Sequence, residues 1–300
     1  MKLWIDTDIG SDVDDALTLA YALRHPDIEV VGVSTVFGDI DLRGRIAEEI
    51  VSIAGNRHVP VLPGLGKPIT PERIGLMFGH EGRGMFEDAA PKMQTDQNPS
   101  GDERIAALGA ALETSKADTL LAIGPLSNLG ALIRAGFDLP RLAIMGGKTE
   151  DVLLPGMIEE IPEWNWYCDP DATATVVATP ADPLPIVVPA EVTFGTCLYP
   201  EDIEQLHGGD ALARQLAKLC DEWIGFLKAR GAGEKARVAL HDPLTAAVLV
   251  EPDLATFADK SVTTDERAAS TCHDDTPNLC VATSADNERL RNHLVETWLR

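Results

Sequence analysis

Short apolar runs of strand length alternate along this chain with longer stretches of helical spacing, and glycine, proline or aspartate separates them. The first run, Leu3-Trp4-Ile5, is followed by a helical pattern of Ala16, Leu17, Leu19, Ala20 and Leu23. Residues 30–37 form a near-continuous β-branched run ending at Gly38-Asp39, as expected for a strand covered on both faces. A helix over 43–54 and a short strand over 59–62 come next. The pattern then predicts a helix over 103–115, strands over 119–123, 142–145 and 186–188, and helices near 201–206 and 210–229. Another helix is expected after Gly124-Pro125-Leu126-Ser127-Asn128, and another from Asp171. His241-Asp242-Pro243 opens an apolar helix over 244–250, where Asp242 as N-cap and Pro243 at the first helical position would explain the pair by capping alone. Strands over 261–264 and 279–283 and a helix from Asp286 close the order.

Strands alternating with helices predict an α/β fold: a single large open domain over residues 1–300, with a mostly parallel twisted sheet flanked by helices. Ligands of such sheets bind at the carboxyl ends of the strands.

Two segments break the pattern. Residues 66–103 read as a long loop around Gly79-His80-Glu81-Gly82-Arg83-Gly84, and loops of this length are usually functional lids or disordered. His80 is a candidate contact there, or else a solvated histidine. Residues 148–170 carry Glu163-Trp164-Asn165-Trp166-Tyr167 in a chain with only 5% aromatic residues. Trp164 and Trp166 suit either packing or a site, and Glu163 and Asn165 point to one side if the piece is extended.

The chemistry concentrates just after the first strand. Asp6-Thr7-Asp8-Ile9-Gly10-Ser11-Asp12-Val13-Asp14-Asp15 holds five carboxylates in ten residues. One acid would cap the following helix; five crowded acids call for a hard cation with oxygen ligands. The strand ending at Gly38 delivers Asp39 to the same edge.

A net charge of -23 argues against nucleic acid and anionic membrane surfaces as partners, since both need a basic face. No stretch approaches the ~20 apolar residues of a membrane span. The sequence opens on a strand pattern rather than a charged segment followed by an apolar one, so a cytoplasmic location is expected. Five cysteines without a Cys-x-x-Cys are expected to be reduced; Cys272, His273 and Cys280 lack a fourth zinc ligand and fit no common finger.

Taken in order, Asp-Thr-Asp-x-Gly with a following Asp-Asp-Ala-Leu, Val-Phe-Gly-Asp, Gly-Pro-Leu-Ser-Asn, Met-Gly-Gly, Glu-Trp-Asn with a downstream Asp-Pro, and a late His-Asp-Pro resemble the inosine-uridine-preferring nucleoside hydrolases along essentially the whole chain. The resemblance implies calcium-dependent hydrolysis of the N-glycosidic bond of a small-molecule ribonucleoside. It implies that Asp8, Asp15, Asp242 and the backbone carbonyl of Leu126 hold one Ca²⁺, with Asp8 also general base to the attacking water. Asp14, Asp242 and Asn165 would bind the ribose 2′ and 3′ hydroxyls, and Glu163 would face the 5′ hydroxyl. His241 would assist departure of the base, and Asp39, His80 and Trp164 complete the expected substrate contacts. A homodimer or homotetramer is expected with it.

The chain departs from the family pattern at four places. Ile9 replaces the usual Pro, and two extra residues precede Asp14-Asp15, making Asp12 an acid without an assigned role. Asp39 stands where Asn is usual. No Asn occurs between Lys148 and Trp164, and Phe78 takes the place of a usual His. Two alternatives stand beside this reading. One is an aspartate-nucleophile phosphatase of the haloacid-dehalogenase type, which leaves Asp14-Asp15 and His241-Asp242 unexplained. The other is a ribose- or nucleoside-binding member that has lost turnover.

Overall fold

The computed structural model describes residues 1–87, 101–153 and 158–300. The acid-rich loop joins β1 (Lys2–Thr7) to α1 (Asp14–Arg24), and β2 (Glu29–Thr35), α2 (Ile40–Ile53) and β3 (Val61–Pro63) follow. α3 (Gly101–Ser115), β4 (Thr119–Ala122), α4 (Ser127–Arg134) and β5 (Arg141–Met145) continue the alternation. The second irregular segment contains a short helix, α5 (Trp164–Cys168), before α6 (Pro170–Ala178) and β6 (Ile186–Val188). Next come α7 (Ala190–Thr193), β7 (Cys197–Leu198), α8 (Pro200–His207), α9 (Ala211–Ala229), β8 (Val238–Ala239) and α10 (His241–Ala247). The chain ends with β9 (Ala255–Thr264), β10 (Ser270–His273), β11 (Leu279–Ala285) and α11 (Asn287–Trp298).

Among the described residues, nine strands form one sheet in the order β10-β9-β11-β6-β5-β4-β1-β2-β3. From β3 to β11 every neighbouring pair is parallel, while β9 and β10 add an antiparallel edge. The chain runs outward from β1 to β2 and β3, then returns to lay β4 on the other side of β1. The strand order therefore reverses between β1 and β4, and in open α/β sheets the ligand crevice lies outside the carboxyl ends at that point.

Alternation along β1 fills both sides of the sheet. Leu3 and Ile5 join one apolar core with α1, α2 and α10, while Trp4 joins the other with Leu120, Ile144 and α3 and α4. The C-terminal helix closes the first core: Trp298 is fully buried and its indole N–H donates to the Leu17 carbonyl at 2.9 Å.

Three features of the strands and of the site segment differ from the sequence expectation, and the described part of the long loop agrees with it. The piece around Trp164 is helical rather than extended. The strand expected over 261–264 begins at Ala255, because residues 255–260 pair with β11 before 261–264 pair with β10. β10 and the β7–β8 pair were not anticipated: these are short strands without a periodic signal. Residues 66–87 of the expected long loop hold no helix or strand, and its stretch 88–100 lies outside the described residues.

Candidate active site

The loop after β1 is bent by Gly10, whose φ of 109° favours glycine; a Cβ there would also lie 2.6 Å from Ile46 Cδ1. Arg43, in the first turns of α2, holds the loop from behind and is itself fully buried. Its Nε donates to the Phe37 carbonyl at 2.6 Å, Nη1 to the carbonyls of Asp8 and Ile9, and Nη2 to Ser11 Oγ at 3.0 Å. The guanidinium is thus spent on three backbone carbonyls and a hydroxyl, with Nη2 4.0 Å from the Asp8 carboxylate. Across the strand reversal, a Cβ on Gly124 would fall 2.9 Å from both the backbone N and Oδ1 of Asp8, so only glycine lets the end of β4 approach so closely.

Five acids meet here. Asp8, Asp14, Asp15 and Asp242 are buried and Asp12 is half-buried, and all five line one cavity of about 240 Å³, near the small end of ligand pockets (~300–1,000 Å³). The backbone N–H of Asp242 donates to Asp14 Oδ2 at 3.2 Å, tying α10 to the start of α1 across 228 residues of sequence. Thr7 Oγ1 donates to Asp15. Burial pushes Asp8 up to about 6 against the pull of Arg43, and Asp12 adds to the rise. Asp14, Asp15 and Asp242 stand well above the ordinary carboxylate range, first through burial and then through neighbouring carboxylates, Asp12 among them in each case.

These residues fit a cation. The donors are all hard oxygens, and Asp12, Asp14 and Asp15 offer ligand atoms within 4.8 Å of one another. Asp14 Oδ1 is buried without a hydrogen-bond partner, a costly state unless something else fills that position.

The opposite wall comes from the second irregular segment. Glu163 is the N-cap of α5, accepting the N–H groups of Asn165 at 2.8 Å and Trp166 at 3.0 Å, with Gly147 donating at 2.8 Å from the end of β5. Burial raises its pKa to about 7, offset in part by those N–H donors. Asn165 Nδ2 donates to the carbonyls of Ile123 at 3.2 Å and Met145 at 3.3 Å, bridging the ends of β4 and β5. Glu163 and Asn165 therefore share the cavity through a helix cap, not through an extended strand. Trp164 lines it too, whereas Trp166 is core.

His241 opens α10 and faces the cavity. Its Nδ1 lies 2.7 Å from Thr193 Oγ1, and its ring meets Phe194 edge-on at 4.8 Å between centroids. Burial lowers its pKa, and the charge of Asp12 pulls the other way.

Three expected site residues fall elsewhere. The Leu126 carbonyl accepts the Gly130 N–H at 2.9 Å inside α4 and does not line the cavity; at the end of β4 that place belongs to Ile123. Asp39 caps α2 by accepting the Leu42 N–H at 3.0 Å and lies outside the cavity wall. His80 is buried one layer back: Nε2 pairs with the Ser11 carbonyl and the ring stacks on Phe226 at 3.8 Å. Glu81 fastens that loop, accepting the N–H groups of Phe78, Gly79 and His80.

Arg43, Ile123, Thr193 and Phe194 contribute without having been singled out in the sequence. Only Arg43 left a usable trace, a cation in the opening turn of a helix that directly follows Gly-Asp. Trp223 and Phe78 complete the apolar wall.

Comparison with known proteins agrees in kind. Residues 3–292 match the family described as inosine-uridine preferring nucleoside hydrolase. The chain is 28% identical over 272 residues to uridine nucleosidase 1 of Arabidopsis thaliana, covering 85% of this chain and 76% of that protein. It is 27% identical to the pyrimidine-specific ribonucleoside hydrolase RihA of Klebsiella pneumoniae subsp. pneumoniae, covering 87% and 83%. Among solved structures, the purine-preferring ribonucleoside hydrolase from Gardnerella vaginalis superposes with a TM-score of 0.81 at 23% identity, over 99% of this chain and 98% of that one.

Proposed function

The chain belongs to the inosine-uridine preferring nucleoside hydrolase family and hydrolyses N-glycosyl bonds, and on that premise we propose that it cleaves ribonucleosides to ribose and free base with a bound Ca²⁺. The observation that carries this reading is the meeting of Asp8, Asp14 and Asp15 with His241 and Asp242 around one cavity, from opposite ends of the chain. The aspartate-nucleophile phosphatase alternative falls with the family assignment.

A ribosyl group losing its base develops positive charge, and a pocket of carboxylates stabilises that oxocarbenium-like transition state. When bound, the divalent cation supplies charge that lowers the pKa of a water molecule. Asp8 takes the proton of the attacking water as its oxygen bonds to C1′, and the electrons of the breaking C–N bond leave with the base. Asp14, Asp242 and Asn165 orient the ribose hydroxyls. Glu163 holds α5, and hence Asn165, in place. His241 hydrogen-bonds or protonates the departing base, while Phe78, Trp164 and Phe194 keep water from that side. The oxygen supplied from the end of β4 is assigned to Ile123 rather than Leu126. A cytoplasmic location and assembly as a homodimer or homotetramer go with this reading; no helix among the described residues is long and apolar enough to cross a membrane.

The test is a nucleoside panel assayed for free ribose with calcium and with a chelator. Release from uridine or inosine that stops on chelation is expected. No ribose from any nucleoside would overturn turnover and leave a nucleoside-binding protein.

A further inference from the structure

We propose that Asp12 contributes a carboxylate oxygen directly to the divalent cation of this site, so that the loop between β1 and α1 holds the ion alongside the first turn of α1. The inference rests on the reading of the site as cation-dependent and adds a ligand to it. Asp12 is an acid of the Asp6–Asp15 stretch whose role the sequence leaves open, and unlike Asp6, the other one, it lines the cavity.

Three observations carry it. Ligand atoms of Asp12, Asp14 and Asp15 lie within 4.8 Å of one another. Two oxygens on opposite sides of one Ca²⁺, each at 2.3–2.6 Å, stand about 4.6–5.2 Å apart, so the spacing of the trio lies in the range that one ion can bridge. Next, Asp14 Oδ1 is buried and has no hydrogen-bond partner, although Asp14 Oδ2 is satisfied by the Asp242 N–H. An unpaired oxygen on a side chain that is only 2% exposed marks a place for a partner from outside the chain, and among the neighbouring carboxylates a cation offsets charge that a ribose hydroxyl would leave uncompensated. Finally, Arg43 does not fill that role: its donors go to the carbonyls of Phe37, Asp8 and Ile9 and to Ser11 Oγ.

Asp12 is also placed to act as the accessible ligand. It is half-buried where Asp14 and Asp15 are buried, and it lines both the main cavity and the small pocket beside His80. The ion class follows from the donor set. All-oxygen ligands exclude a zinc-type site of nitrogen and sulfur, and a crowd of carboxylates suits the six to eight ligands of Ca²⁺ better than the strict octahedron of Mg²⁺.

The experiment is calorimetric titration of chelator-treated full-length protein with calcium chloride, and separately with magnesium chloride. The wild type is expected to bind one Ca²⁺ more tightly than Mg²⁺. Asp12→Asn and Asp12→Ser should each weaken Ca²⁺ by about tenfold or more, as ligand charge sets affinity in oxygen sites. Glu113→Gln, which removes an exposed charge from α3, should leave the dissociation constant unchanged. Circular dichroism on each variant reports folding, and Asp12→Asn is the milder change should Asp12→Ser misfold. Unchanged calcium affinity in a folded Asp12→Asn, while the wild type binds calcium and releases ribose, would overturn the role of Asp12 and leave the hydrolase reading intact. A wild type that binds no divalent cation would remove both this inference and the calcium reading.

Discussion

Thr193 Oγ1 lies 2.7 Å from Nδ1 of His241 and 3.2 Å from the carbonyl of Ala190. A hydroxyl has one proton to give. With that proton directed to Nδ1 of the neutral imidazole, the ring's own proton sits on Nε2, the nitrogen that can donate to the leaving base. Thr193→Val keeps the shape and removes that donor. A neutral hydrogen bond of about 1 kcal/mol sets the scale, so kcat on inosine should fall by roughly fivefold. Thr193→Ser should restore it; equal loss in both variants, measured by steady-state kinetics, would show that the methyl group rather than the hydroxyl matters.

Asp8 carries a second prediction. Asp8→Asn retains the size and one ligand oxygen but cannot take the proton of the attacking water. Positioned proton transfer is typically worth ~10²–10⁴-fold, and the loss should appear in kcat. Near-normal turnover with metal still bound would remove Asp8 from the role of base.

The buried acids give stability a pH dependence with a definite sign. Burial lifts Asp6 to about 7 and Glu163 to about 7, from ordinary values of 3.8 and 4.5. Between those limits the folded state holds protons that the unfolded chain has released, so stability falls as pH rises through the window. Chelator-treated protein should therefore show a higher Tm near pH 5 than near pH 8. Asp6→Asn should flatten the slope, because it removes one of the raised carboxylates; a Tm that rises with pH over this range in the metal-free protein would contradict the assignment. The histidines that burial lowers, His25, His80, His241 and His293, add stability as pH rises toward their ordinary 6.5 and oppose the slope below it, while Asp210 beside Arg24 and Asp253 beside Arg289 act only below the ordinary carboxylate range.

The strands at the centre of the sheet were legible because each is a short apolar run between breakers, and the acids because four of the five in the Asp6–Asp15 stretch do line the cavity, while Asp6 accepts from Ser34 Oγ and Asn128 Nδ2 outside it. Ile186–Val188 falls where the sequence places it. The positions that eluded the pattern depend on tertiary contact. Whether His80 faces a substrate or Ser11 depends on Phe226 of α9, far away in sequence. Asp39 sits where a site residue could, yet helix capping uses the same residue type at the same place. Choosing between the carbonyls of Leu126 and Ile123 required the start of α4, a boundary that composition does not fix to within three residues.

Arg43 shows the same limit from the other side, since a helical arginine ordinarily reads as solvated. Here it satisfies the carbonyls of Phe37, Asp8 and Ile9 and lowers Asp8 by its charge. Arg43→Met would fill much of the volume and leave those groups unpaired. Removing one partner from a buried charged network costs ~3–5 kcal/mol, so a large drop in denaturant midpoint is expected. A midpoint within ~0.5 kcal/mol of wild type would mean that the loop holds itself.

The last prediction separates chemistry at the leaving group from support of the site. A purine or uracil departs poorly as an anion, so a hydrogen bond or proton from His241 matters most for natural nucleosides. p-Nitrophenol leaves without a proton. His241→Ala should therefore slow inosine cleavage strongly and spare p-nitrophenyl riboside. The competing account is mechanical: His241 begins α10, whose next residue, Asp242, donates its N–H to Asp14. If the alanine disturbed that junction, the carboxylates around the ribose would shift and both substrates would slow together. Measuring kcat for the two substrates on the same variant decides between these accounts, because only loss of leaving-group assistance depends on the basicity of the group that departs.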